Sequence, residues 1–288
     1  NQVRTDHGQG DIYKTTLASK ILGLVVNKLA SLDPEGVGVE MESDKPNWYD
    51  ALNGLPGVLG SSISETLEIK RNVLYLQKVL NSYGEDNTQW PIFEEMGNFF
   101  EELHKQLQAG LSSFDFWNKA TTAKEEFRVQ TRLGISGVET NISGAKLQDF
   151  LNAALKKLDQ GITKACNNEQ GILPTYFINQ VTEYEVIKLE DGTTKCNSKG
   201  FPCFRAKAFK QIPLPLFLEG PVHYLRTLPE PALARELAAK IQQSGLYDQQ
   251  LKMYKVNAPL DDQPMEIGRA RVFSPGWFEN ESVWLHME

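Results

Sequence analysis

The sequence predicts a mainly α-helical protein, a bundle or a helical toroid, on two observations. Six stretches repeat apolar residues at helical spacing, and convincing strand alternation occurs essentially once. From Thr15 to Ala30 the apolar face is Leu17, Ile21, Leu24, Val25 and Leu29, and "DPEG" at Asp33 to Gly36 stops it. A second helix opens near Ser62 with Glu65 three residues on, the spacing of a capping box, and runs through Leu67, Ile69, Val73, Leu74 and Leu76 towards Tyr83. Further helices are expected at Pro91 to Gln108, Phe114 to Gln130, Lys146 to Thr163 and Glu230 to Gln243. In the third of these, Leu147, Phe150, Leu151, Ala154, Leu155 and Leu158 line one face. The strand signal is "YEVIKLEDGTTKC", where Asp191-Gly192 supplies a hairpin turn, and it reads as a small β insertion near residues 184–205. The final "ENESVWLHME" opens like a helix with no C-cap, so the chain is expected to be a fragment of a longer polypeptide.

Composition narrows the function. With 288 residues, 41% hydrophobic and 23% charged, the chain can bury a core. Its net charge of −7 is spread without a basic stripe, which argues against nucleic acid as a partner. The longest apolar runs, such as Ile21 to Val26, are too short to span a membrane. Three cysteines without metal-type spacing point to a reducing, cytoplasmic setting.

Three segments hold more polar, aromatic and glycine residues than packing needs: Val3 to Asp11, Asn47 to Gly57 and Phe273 to His286. Each precedes an expected helix, where loops on a rigid scaffold carry function. Rings beside acids suit a sugar, because ring faces cover pyranose C–H faces while carboxylates handle hydroxyl protons. Asp50 follows Trp48 and Tyr49, whose apolar rings favour the protonated state a general acid needs; it could equally cap a helical turn. Trp277 offers a platform, and Glu279 or Glu281 could activate water as in an inverting hydrolase, or serve as first-turn acids of a helix. Arg4 could grip phosphate or carboxylate in a fork, and His286 could donate a proton, bind an anion or simply pack. Asp6, His7 and Asp11 lack diagnostic metal spacing, so no metal is expected.

In this order the segments resemble the inverting phosphorylases of glycoside hydrolase family 94, the cellobiose and chitobiose phosphorylase group. The matching residues are Arg4, Thr5 and Asp11; then Trp48, Tyr49, Asp50 and Glu65; then Pro275, Gly276, Glu279, Asn280 and His286. The resemblance implies an (α/α)6 barrel of which residues 1–288 form the central part of one catalytic domain, and often a homodimer. It implies Asp50 as general acid, His286 and Arg4 as phosphate ligands, and Asp11 on sugar hydroxyls, with Trp48, Tyr49, Glu65 and Trp277 completing the substrate site. Oligosaccharide and inorganic phosphate would be the co-substrates, with no further cofactor. Tyr49 stands where the family has asparagine, and the Arg4–Asp11 and Asp50–Glu65 spacings are longer. An inverting hydrolase and a non-catalytic sugar-binding domain are the alternatives.

Overall fold

The computed structural model describes residues 2–42, 52–83, 89–228, 230–277 and 279–283, and its architecture is mixed α/β. Among the described residues helix makes up 46% and strand 19%, with seven helices and a four-stranded antiparallel sheet, so the expected (α/α)6 toroid is wrong. Closing a toroid takes six helix pairs, whereas here residues 176–186 and 204–213 are strands and residues 244–283 are mostly turns.

Five helices form the first layer: α1 (Leu17–Leu29), α2 (Ile63–Tyr83), α3 (Glu94–Gln108), α4 (Ser113–Thr131) and α5 (Gly144–Cys166). Each buries its apolar stripe in one core, with Leu22, Leu29, Leu76, Phe100, Phe150 and Leu158 at its centre. Capping is local: Thr16 Oγ1 accepts from Ser19 N–H at 3.1 Å, Ser112 Oγ from Asp115 N–H at 3.0 Å and Ser143 Oγ from Lys146 N–H at 3.3 Å. At the start of α2, Glu65 pairs with Lys28 of α1.

The sheet runs β1 (Val39–Glu40), β2 (Gly60–Ser62), β5 (Tyr176–Val186), β6 (Phe204–Pro213). A separate ribbon pairs β3 (Gln89–Phe93) with β4 (Glu139–Ser143). The Asp191-Gly192 turn lies as expected at the tip of the β5–β6 arm, where Leu189 and Thr193 are hydrogen-bonded. The strands behind it, however, are the body of the sheet and not an insertion. Register sets the faces: Glu40 lies opposite Ser61, Ser61 opposite Phe177 and Asn179 opposite Gln211, so one face carries a polar row towards α4 and α5. The other presents Tyr176, Ile178 and Ile212 to a second core formed by Leu52, Leu55, Phe217, Val256, Leu260 and Ile267.

The remaining chain forms α6 (Glu219–Leu225), α7 (Pro231–Gln242) and a short ribbon of β7 (Tyr247–Asp248) with β8 (Met253–Tyr254). Two glycines allow close crossings. A Cβ on Gly161 of α5 would lie 2.1 Å from the Gly36 carbonyl oxygen, and one on Gly54 would lie 1.7 Å from that of Glu266. No helix among the described residues is long and apolar enough to cross a membrane.

Candidate functional site

The structure does not place Val3 to Asp11 directly before a helix, and the helix expected to follow Phe273 to Glu281 lies outside the described residues. Arg4 and Ile12 form an isolated bridge that folds Val3 to Asp11 into a loop, closed by the Arg4 Nη1 bond to the Gly10 carbonyl at 3.0 Å. Asp11 is exposed at its edge, several residues before α1 begins, so it does not head a helix. The loop sits on the turn after α4, where Ile135 N–H donates to the Arg4 carbonyl and His7 N–H to the Ile135 carbonyl.

In the third segment Glu279 and Glu281 have left-handed φ of 65° and 53°, which excludes them from a helical first turn. Asn280 is buried and donates to the Phe273 carbonyl at 2.9 Å, while Trp277 is 64% exposed. Glu281 is bound to Lys255 at 2.6 Å, with the two side chains only 10% and 15% exposed. Trp48, Tyr49, Asp50 and His286 lie outside the described residues.

The flanks of the Asp50 segment are fixed. On one side Glu42 pairs with Arg128, on the α4 end that leads into the Arg4 loop; Arg128 also holds Glu125 at 3.0 Å. On the other, Leu52 and Leu55 are buried with Val256 and Ile267, and Val256 N–H donates to the Ser282 carbonyl at 2.8 Å.

At the root of this segment stand two acids that the sequence reading passed over. Asp33, 1% exposed, accepts five hydrogen bonds. Oδ1 takes Glu35 N–H at 3.1 Å and Val37 N–H at 2.9 Å; Oδ2 takes Gly38 N–H at 2.8 Å, Ser61 Oγ–H at 2.7 Å and Gln211 Nε2–H at 2.8 Å. Gln211 also donates to Asn179 at 2.9 Å, so the loop after α1 is stitched to β2, β5 and β6. Burial pushes the Asp33 carboxyl up, and its donors pull against that push.

Glu40 closes the polar row. Its Oε1 accepts from Trp117 Nε1–H at 2.6 Å, and its Oε2 lies 3.9 Å from the buried Lys124 ammonium, which donates to Ser31 Oγ at 3.2 Å. Trp117 meets Phe209 edge-on at 5.0 Å, and Phe114 lies 5.6 Å from Trp117, so aromatic rings flank the carboxyl. Burial raises the Glu40 pKa, and the indole bond and Lys124 oppose the rise. Burial likewise lowers that of Lys124.

The chain matches no protein-family model and no curated protein. Burial favours the protonated form of Glu40, a carboxyl beside an indole and close in sequence to Asp50. Among the described residues no group of three or more His, Cys, Asp or Glu is arranged to hold a metal ion. A second polar cluster, His223 between Glu68 at 2.7 Å and Glu219 at 3.9 Å, with Tyr176 donating to Glu219 at 2.6 Å, ties α6 to α2 and β5.

Trp117→Phe tests the Glu40 environment, because it keeps the ring and deletes the N–H. The Glu40 pKa, read by carboxyl-carbon NMR titration, should rise further; an unchanged value would show that the indole bond does not hold the anion. The sign carries to stability. A folded-state pKa above the ordinary 4.5 means the fold binds the proton more tightly, so stability falls as pH rises from that value through the raised one. The variant should steepen this fall.

Proposed function

We propose that the chain belongs to a carbohydrate-active enzyme that cleaves a disaccharide or oligosaccharide by inverting phosphorolysis. One observation carries the reading. The two flanks of the Asp50 segment are anchored on the parts of the chain that hold the other two segments, α4 with the Arg4 loop and the stretch around Val256 with Glu279 to Ser282. This arrangement supports a single site assembled from all three. In it Asp50 gives its proton to the glycosidic oxygen as the bond to the anomeric carbon breaks. Phosphate forms the new bond from the opposite face, leaving a sugar 1-phosphate and a free sugar. Arg4 and His286 are assigned to neutralise phosphate, and Asp11, Trp48, Tyr49 and Trp277 to hold sugar.

Phosphorolysis is favoured over hydrolysis by the state of Glu281. The Glu281 carboxylate is engaged by the half-buried Lys255 ammonium and not free to take up a water, and phosphate, already an anion, needs no base. With the intact enzyme and β-linked disaccharides, sugar release should require added phosphate. Replacing Glu279 and Glu281 together by Gln should leave that release largely intact, while stability drops by up to about 3 kcal/mol as Lys255 loses its counter-charge. Release that is undiminished without phosphate, or abolished by the double replacement, would defeat the proposal in favour of a hydrolase.

A further inference from the structure

Between the turn joining α3 to α4 and the outer face of α5 lies a cavity of about 400 Å³, lined by Gln106, Phe116, Lys156, Lys157 and Gln160, with Leu107 and Leu111 at its apolar side. No aspartate or glutamate lines it, although the chain carries a net charge of −7. Eight lysines form ion pairs among the described residues, yet Lys156 and Lys157 are in none. Lys157 instead stands with its ammonium 4.8 Å over the Phe116 ring; burial lowers its pKa, and the charge of Asp33 opposes that. The carboxylates bonded to lining residues are already engaged: Glu102 accepts from Gln106 Nε2–H at 3.0 Å, and Asp149 from Gln108 Nε2–H at 2.6 Å.

Gln106 supplies an independent sign. It is 5% exposed, and its Oε1 has no donor among the described residues, although a buried acceptor without a partner is costly. Two ammonium groups outside any ion pair among the described residues suit an anion of about two charges, as a phosphate monoester carries at neutral pH. An acceptor without a donor calls for a hydroxyl, and the glutamine amides with the apolar side suit a polyol.

We propose that this cavity binds the phosphate monoester of a small polyol, with Lys156 and Lys157 on the phosphoryl group and Gln106 on a hydroxyl. None of these residues belongs to the three segments assigned to catalysis, so the inference stands or falls apart from the proposed reaction.

Calorimetric titration of the intact chain with a hexose 6-phosphate, inorganic phosphate and the unphosphorylated hexose tests it. The hexose 6-phosphate should bind, and Lys157→Met should weaken it by about tenfold or more. Lys156→Gln, at an exposed position, should weaken it as well and carries the test if Lys157→Met fails to fold. Inorganic phosphate binding equally well would overturn the polyol assignment, and the free hexose binding equally well would overturn the anion site. Absence of binding, or hexose 6-phosphate affinity unchanged in both variants, would overturn the cavity itself.

Discussion

Asp50→Asn is expected to lower phosphate-dependent sugar release by about 10²–10⁴-fold, the range a positioned general acid contributes. Asparagine preserves shape and can still hydrogen-bond the glycosidic oxygen, but it has no proton to give when the bond breaks. The loss should fall on kcat and leave KM nearly unchanged, because the missing interaction exists only in the transition state. A glycosyl fluoride, whose leaving group departs without protonation, should lose far less. Equal loss on both substrates would mean that Asp50 holds the loop in shape, and undiminished activity on the natural linkage would remove it from the reaction. Glu40 is the control nearest in chemistry. It stands in an aromatic, partly buried setting and is held by Trp117 and Lys124.

The second large effect concerns stability. Asp33→Ala should cost about 3–5 kcal/mol, since removing a buried charge strands the groups bonded to it. The N–H groups of Val37 and Gly38, the Ser61 hydroxyl and the Gln211 amide would all lose their acceptor in a site closed to solvent. Asp33→Asn keeps the volume yet turns an N–H₂ towards those donors, so a loss of about 2 kcal/mol should remain. Urea unfolding midpoints measure both, and a loss below about 1 kcal/mol for the alanine variant would show that the network does not hold the loop. The pH dependence follows from burial, which lifts the native pKa above the ordinary 3.8. Stability from this group therefore falls as pH rises from that value through the raised one, and the asparagine variant should lack that slope.

Helices were legible because each buries one stripe and exposes the rest. α1, α2, α4, α5 and α7 fall within two or three residues of their expected ends, and α3 loses its first turn to β3. The sheet was mostly hidden for the opposite reason. β5 starts with Tyr176, Phe177, Ile178 and Asn179 all buried, so the two-residue alternation appears only in its exposed outer half, where the hairpin was read. β1 and β2, of two and three residues, are too short to show a period. Asp33 was visible only as the end of a helix, because Ser61 and Gln211 meet it from 28 and 178 positions away. The signals for Glu40 were weaker still, as Trp117 lies on a helix that reads as ordinary amphipathic surface.

That same register orders events as the chain folds. β2 finds its partner in Tyr176 to Ile178, after four helices and the small ribbon have been laid down between them. Closing a loop of that length costs roughly 4 kcal/mol of chain entropy, and contacts so distant in sequence form slowly. The helical layer can collapse on local contacts as it emerges from the ribosome, while Asp33 waits for Gln211 with its backbone donors alone. The Asp33 network is thus completed late in folding, and a nascent chain stopped short of β6 would hold α1 to α5 and lack the Gln211 bond to Asp33.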